Sequence, residues 1–251
     1  MFASNLPSPM IFAHRGASIH APENTLAAFE LAVNLGADGV ELDAKLTADN
    51  HVIVFHDHVV DRTTDGSGDV SKLPLAALRE LDAGVRFSEK FRGEKIPTLD
   101  EVFETVGKKT FINVELKNYA TPLDALVPKV VEVVKRHGLE ERILFSSFFP
   151  HNLARSARLL PKTPRGLLTM RGWMGWAGRT LGFRNKVYQA LHPLRLDTSD
   201  DLVKRVHASG KLVNVWTVNS ETDLQRMISY KVDGIITDDP VLALRLLGRG
   251  R

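Results

Sequence analysis

Gly39-Val40-Glu41-Leu42-Asp43-Ala44-Lys45-Leu46-Thr47-Ala48-Asp49-Asn50-His51-Val52-Ile53-Val54-Phe55-His56 is the stretch on which the fold turns. Two β-like runs are separated only by Thr47 to His51, too few residues for a crossover helix and suited to a hairpin turn. Val52 to His56 therefore reads as an antiparallel return strand. If the strand beginning at Gly39 overshoots the rim of a sheet and the chain doubles back, His56 comes down beside Asp43. Glu41 and Asp43, two apart on one strand, point to the same face.

Outward from this hairpin, short apolar runs alternate with longer amphipathic stretches, the pattern of repeated strand-helix units around a parallel sheet. The strands read are Met10 to Ala13, Gly39 to Asp43, Phe111 to Glu115, Ile143 to Ser146, Arg165 to Leu168, Gln189 to His192, Val213 to Trp216 and Gly234 to Thr237. Eight is the number that closes a (β/α)8 TIM barrel. Arg165 to Leu168 and Gln189 to His192 are short and poor in β-branched residues, and without either an open doubly wound sheet would be the alternative. Helices are expected over Pro22 to Leu35, Leu99 to Val106, Leu123 to His137, Asn152 to Leu160, Asp200 to Ser209 and Glu221 to Tyr230. Gly36, Gly107, Gly138 and Gly210 stand where left-handed caps would end four of them. Periodicity fails between His58 and Pro97, where Thr64-Asp65-Gly66-Ser67-Gly68 is turn chemistry. The chain is thus expected to be one barrel domain, 1-251, with an insertion of about 58-97 after the second-strand hairpin, placed to cap the substrate end.

With 251 residues at 43% hydrophobic, one large core is within reach, and no apolar run is long enough to cross a bilayer. The absence of cysteine rules out disulfides and thiolate metal sites, leaving carboxylate, imidazole or amide ligands. Residues 1–9 lack a basic start followed by an apolar stretch, and Met10 to Ala13 is too short for the apolar part of a signal peptide, so a cytoplasmic location is expected. The charge of +3 is dispersed, which argues for a solvated surface and against nucleic acid. The local exception is Arg165 to Arg184, with Arg165, Arg171, Arg179 and Arg184 and no acidic residue.

Glu41, Asp43 and Glu115 end two expected strands, and Lys117 follows two residues after Glu115. Like charges gathered at one rim are unfavourable unless a cation sits among them, and an all-oxygen set suits Mg²⁺ or Ca²⁺. Salt bridging with Arg15, Lys45 and Lys117 would account for them without a metal. His14-Arg15-Gly16 closes the first strand and His56-Asp57 the hairpin. Two imidazoles at that rim can give and take protons near neutral pH. Arg15 has the fork that fits phosphate oxygens, and Gly16 would let the backbone pass close to a substrate.

In order along the chain, His14-Arg15-Gly16, Pro22-Glu23-Asn24-Thr25, Glu41-Leu42-Asp43, His56-Asp57, Arg62-Thr63-Thr64-Asp65-Gly66, Ile96-Pro97-Thr98-Leu99, Glu115-Leu116-Lys117 and Trp216-Thr217-Val218-Asn219 resemble the motifs of the glycerophosphodiester phosphodiesterase family. The match runs from about Met10 to Pro240. The resemblance implies a barrel with an inserted cap and a Mg²⁺ or Ca²⁺ ion that hydrolyses glycerophosphodiesters to glycerol 3-phosphate and an alcohol. By motif, Glu41, Asp43 and Glu115 resemble the metal ligands, His14 and His56 the acid-base pair, and Arg15 and Lys117 the phosphate holders. Trp216 resembles the residue on which glycerol packs, its alternative being a barrel-core aromatic. Similarity to the family suggests attack by a glycerol hydroxyl through a cyclic phosphate; direct attack by water stays open. Ser147, Phe148 and His192 lie near strand ends and are candidates to line the pocket.

Two other functions fit the residues. A lysophospholipase D would accept an acyl chain, for which Arg171, Trp173, Trp176, Arg179 and Phe183 supply an aromatic and basic mixture suited to transient membrane-surface contact through 170-187. Trp173 and Trp176 are expected to form an apolar wall or lid rather than a buried helix face. The other is a non-catalytic barrel that binds phosphorylated ligands.

Overall fold

A computed structural model describes residues 7–250, so that residues 1–6 of the amino-terminal segment lie outside it. The elements in chain order are β1 (Met10–His14), α1 (Leu26–Asn34), β2 (Gly39–Leu46), β3 (Val52–Val54), α2 (Leu75–Glu80), α3 (Leu99–Val106), β4 (Phe111–Leu116), α4 (Leu126–His137), β5 (Ile143–Ser147), α5 (Pro150–Leu159), β6 (Arg165–Thr169), α6 (Trp173–Thr180), β7 (Ala190–Pro193), α7 (Asp200–Ala208), β8 (Leu212–Val215), α8 (Glu221–Ser229), β9 (Gly234–Thr237) and α9 (Pro240–Leu246). Eight strands pair in parallel in the order β1-β2-β4-β5-β6-β7-β8-β9, and β9 returns to β1, closing a TIM barrel. β3 lies antiparallel on β2 with Ala44 opposite Val54, the return strand expected from the hairpin. The Phe55 N–H donates to the Asp43 carbonyl at 2.8 Å, which brings His56 to the level of Asp43.

Alternation along the strands sorts the side chains. Val40, Leu42 and Ala44 on β2 and Ile112, Val114 and Leu116 on β4 belong to the large core between strands and helices. The intervening Glu41, Asp43, Asn113 and Glu115 point into the barrel. Its interior also holds an apolar cluster of Met10, Phe12 and Ile236, with Phe111 and Trp216 against it.

The two short runs form β6 and β7, because closure supplies backbone partners on both sides and burial on both faces. Arg165, at the start of β6, is buried without harm since its guanidinium donates to the carbonyls of Leu160, Pro161 and Val187. Two helices start later than their periodicity suggests. Thr25 Oγ1 accepts from the Ala28 N–H and starts α1 at Leu26 rather than Pro22. α4 starts at Leu126 rather than at Leu123, after a turn in which Asp124 Oδ1 accepts from the Leu126 N–H, its N-cap Ala125 making no side-chain cap. Gly36, Gly138 and Gly210 take positive φ as expected, but Gly107 ends α3 at φ −57°, where glycine is needed for space rather than for φ, since a Cβ would come within 2.5 Å of the Phe103 carbonyl oxygen and 2.6 Å of Leu139. The expectation of a left-handed cap there is corrected. α2, α6 and α9 were not anticipated. α6 carries Gly175 and Gly178, which weaken any helical signal.

The 58–97 insertion has a small core of its own, in which Val60, Val70, Leu78, Ala83 and Ile96 pack on Ile53 and Phe55. Its turns are pinned by Asp82, which accepts from the N–H groups of Gly84, Val85 and Gly93 at 2.9, 2.9 and 2.7 Å. No helix among the described residues is long and apolar enough to cross a membrane.

Candidate active site

Strand register assembles the acidic cluster. His14 is level with Glu41, and Asp43 with Glu115. Carboxylate oxygens of Glu41, Asp43 and Glu115 lie within 4.8 Å of one another, and all three side chains are buried. Lys117 Nζ stands 3.3 Å from Asp43 and 3.6 Å from Glu115, and Arg15 Nε is 3.3 Å from Asp43. Asn24 donates to Asp43 Oδ2 at 2.9 Å. Burial acts to raise the Asp43 carboxyl, but Lys117 and Arg15 outweigh it and hold that group far below the usual carboxylate range. Glu41 goes the other way, pushed well up by burial and then by Asp43 and Glu115. The two cations do not neutralise three carboxylates evenly. An all-oxygen donor set with one carboxyl pushed up by its neighbours is what a hard divalent cation relieves, so these residues fit Mg²⁺ or Ca²⁺. Tyr119 donates to Glu115 Oε1 at 2.6 Å and orients that carboxylate.

The turn after β1 is shaped for the same purpose. Arg15 has φ +58°, a conformation a non-glycine residue adopts at a cost of about 1–3 kcal/mol. It aims its N–H at Glu41 Oε2 (3.2 Å) and its guanidinium at Glu23 Oε1 (2.9 Å). Gly16 follows at φ +82°, and a Cβ there would come within 2.6 Å of Ala28.

Each histidine is held through Nδ1 by a carboxylate at 2.6 Å: His14 by Asp238 and His56 by Asp57. His14 Nε2 is 3.9 Å from Glu41 Oε2. Asp238 is fixed in turn by Ser18 and Asn219. It is lowered from the usual carboxylate value, because hydrogen bonds from His14, Asn219 and Ser18 and the His14 charge overcome its burial. Arg62 donates to Asp57 at 2.6 Å and to Glu23 at 2.7 and 2.8 Å, tying the insertion to the barrel turn that carries Arg15. Arg62 and His56 prevail over burial at Asp57 and take its carboxyl to about 2. Burial pushes the His56 imidazole down despite Asp43. Lys45, which donates to the Asp57 carbonyl at 2.6 Å, is lowered to about 8 by burial and then by Lys117.

Across the mouth the lining is aromatic. Tyr119 meets Phe148 and Phe149 edge-on at 5.7 and 4.9 Å, and Phe148 meets Trp216 at 5.4 Å. A hollow of about 1000 Å³ opens at the opposite, amino-terminal end, lined by Gly138, Arg142, Lys162 and Pro164 among others, without a histidine. Chemistry rather than volume marks the carboxyl end as the site.

Comparison with known proteins agrees with this constellation. Residues 14–242 match the model of the glycerophosphoryl diester phosphodiesterase family. A glycerophosphodiester phosphodiesterase of Caldanaerobacter subterraneus subsp. tengcongensis is 42% identical over 96% of this chain and 98% of its own. This chain belongs to the glycerophosphoryl diester phosphodiesterase family. Among solved structures of that kind, an Oleispira antarctica phosphodiesterase in complex with the product sn-glycerol-3-phosphate superposes with a TM-score of 0.86 at 32% identity, covering 96% of this chain and 97% of that one. A Thermotoga maritima glycerophosphodiester phosphodiesterase superposes at 0.76 with 27% identity, covering 98% and 100%. Membership makes the chain an enzyme and sets aside the non-catalytic barrel.

Of the family positions foreseen in the sequence, Glu41, Asp43, Glu115, Arg15 and Lys117 are in mutual contact, and His14 and His56 flank them. Trp216 stands just past β8, partly buried, its Nε1 donating to the His192 carbonyl at 2.8 Å. It serves the barrel interior and the mouth together. His192 and Ser147 do not line the mouth. His192 is wholly buried with Nε2 against Asn214 at 3.0 Å, and Ser147 turns its hydroxyl to the Leu116 carbonyl. Phe148 does lie at the mouth. Asp238 and Tyr119 are not among the residues expected from the sequence, and Lys45, expected only as an ion-pair partner of the acids, donates instead to the Asp57 carbonyl. For Asp238 a signal existed: it follows the last strand as His14 ends the first, and closure makes those strands neighbours.

Proposed function

We propose that the protein hydrolyses glycerophosphodiesters to glycerol 3-phosphate and an alcohol, with Glu41, Asp43 and Glu115 holding Mg²⁺ or Ca²⁺. The observation that carries this reading is the pair of imidazoles, each oriented through Nδ1 by its own carboxylate beside a buried acidic triad. Such holding leaves Nε2 of each as the nitrogen for proton exchange. The metal, when bound, supplies positive charge for the phosphoryl oxygens. Arg15 and Lys117 bind the same oxygens and offset charge that grows in the transition state. His14 takes the proton of the attacking hydroxyl and His56, on the insertion side, gives one to the leaving oxygen. Trp216 and Phe148 pack against the glycerol carbons. Residues 58–97 cap the mouth, with Arg62 as the tie between cap and site. The exposed Trp173 and Trp176 favour a second substrate form, a diester that still bears one acyl chain.

The test is release of glycerol 3-phosphate from several glycerophosphodiesters and one lysophospholipid, with Mg²⁺ or Ca²⁺ and after exhaustive chelation. Product that depends on added metal is expected. Full turnover after chelation would overturn the metal assignment, and no product from any diester would overturn the function.

A further inference from the structure

α6 is packed inside out. Its small residues face the barrel: a Cβ on Gly175 would sit 1.5 Å from the Met170 carbonyl oxygen, and one on Gly178 2.7 Å from Thr169 Cγ2. Its large apolar residues face away, with Trp173 78%, Trp176 61% and Met174 59% exposed. An amphipathic helix of a water-soluble barrel ordinarily does the reverse. The helix is nevertheless held in place, since Arg179 donates to the Met170 carbonyl at 2.8 Å and pairs with Asp197 at 3.3 Å. The connection between β7 and α7, tied to α6 through Arg179 and Asp197, adds Leu196, 56% exposed, to the apolar surface. An apolar rim of this kind, next to a site, marks an interaction surface.

The charge says what covers it. Between Glu141 and Asp197 the chain has ten Lys or Arg and no Asp or Glu, although the protein as a whole is only +3. The sector from β5 to β7 is therefore basic in sum. Arg142 and Lys162 lie at the amino-terminal end, Arg165 is buried and Arg179 pairs with Asp197, which leaves Arg171, Arg184 and Lys186 as exposed cations flanking α6. Exposed Arg171 stands directly before the tryptophan pair, and exposed Arg184 and Lys186 follow α6. Tryptophan and methionine at the tip of a basic sector match an anionic phospholipid surface, with the indoles at headgroup depth and the cations at lipid phosphates.

We infer that the exposed face of α6, with Leu196, docks the carboxyl end of the barrel on an anionic phospholipid bilayer, so that diesters are taken from a lipid surface as well as from solution. This deepens the proposed hydrolysis and rests on it for the reaction alone; the docking itself is measured without turnover. α6 rises from β6, on the far side of the barrel from β1, so docking there leaves the charged half of the mouth open.

Trp173 and Trp176 are two of only three tryptophans, so intrinsic emission reports the contact directly. On phosphatidylglycerol vesicles at low salt the emission should shift to the blue and be quenched by brominated acyl chains, with weaker partition at high salt and on phosphatidylcholine. The Trp173→Ala/Trp176→Ala variant should lose at least about tenfold in vesicle partition. Its thermal midpoint and circular-dichroism spectrum should stay at the parent values. Arg171→Glu, which keeps the helix face, should weaken partition on the anionic vesicles alone. No partition of the parent protein on either vesicle would overturn the inference, as would partition indifferent to both variants. A dimer dissolved by the tryptophan variant, with no vesicle binding, would assign the face to a second copy of the chain and overturn it equally. Vesicle binding without turnover of any diester would instead sink the functional reading while leaving the docking intact.

Discussion

The two halves of the barrel mouth are built on opposite principles. β1, β2 and β4, with the insertion, present charged groups tied to one another: Arg15 to Glu23 and Asp43, Lys117 to Asp43 and Glu115, Arg62 to Glu23 and Asp57, His14 to Asp238. β5 to β8 present Phe148, Phe149, Trp216 and the α6 rim, held by ring contacts and backbone hydrogen bonds. The first half is preorganised for a charge that has yet to arrive, because each ion is already oriented by another. The second half sets aromatic rings rather than mutually paired charges against the mouth, and under the proposed function it selects by the apolar area it covers. On that reading, chemistry and selection belong to separate arcs of one barrel.

The comparison is broken most directly at Asp43 and Trp216. Asp43→Asn removes a carboxylate of the triad and the common partner of Arg15 and Lys117, and should lower kcat/KM on glycerophosphocholine by about a thousandfold or more, with metal affinity falling in a calorimetric titration. Trp216→Ala should cost about tenfold, chiefly in KM. Equal losses would mean that the aromatic arc takes part in the chemistry.

Within the charged half, His14→Ala and His56→Ala should each cost about 10²- to 10⁴-fold on a natural diester. A nitrophenyl diester needs no proton on its leaving group, so His56→Ala should recover much of its activity there and His14→Ala should not. Equal impairment on that substrate would undo the division of roles. The rate should follow a bell-shaped pH dependence with macroscopic limbs belonging to the pair.

Apolar side chains sharpen the contrast in stability. Leu78 is wholly buried in the core of the insertion, and Leu78→Ala should destabilise by about 2–5 kcal/mol or uncouple the insertion from the barrel. Trp173→Ala, at an exposed position, should change stability by less than about 0.5 kcal/mol. Urea denaturation followed by circular dichroism separates the two, and a large loss at Trp173 would return α6 to the core.

The smallest effect is that of pH at His192, inside the apolar arc. Burial lowers this imidazole from 6.5 to about 3. The unfolded chain therefore takes up a proton that the folded one refuses between those values. Stability from keeping His192 neutral is present in full above about 6.5 and is lost as pH falls toward 3, by at most about 1.4 kcal/mol per pH unit. His192→Asn should flatten that part of the profile between pH about 6 and about 4. Parallel profiles for parent and variant would show that the folded ring accepts a proton.

Much of this is legible in the sequence because the signals are local. Alternation placed Glu41 and Asp43 on one face, five turn residues forced the hairpin that brings back His56, and apolar runs between amphipathic stretches counted out eight strands. Even the weak strands, β6 and β7, were read at nearly their true bounds. What no local pattern carried were pairings made by closure and register. Asp238 reaches His14 across 224 positions of sequence only because β9 lies against β1. Arg62 reaches Glu23 across 39, because the insertion folds back on its own small core. Tyr119 finds Glu115 through a loop with no period, and His192 is withdrawn from the mouth because its ring occupies the space that Gly166 leaves open, Nε2 lying 2.2 Å from where a Cβ would be. The composition of α6 announced tryptophan and arginine near the mouth, but only packing decided that glycine would face in and tryptophan out. A sequence determines which residues can share a face of an element; which face is buried depends on what the closed barrel sets against it.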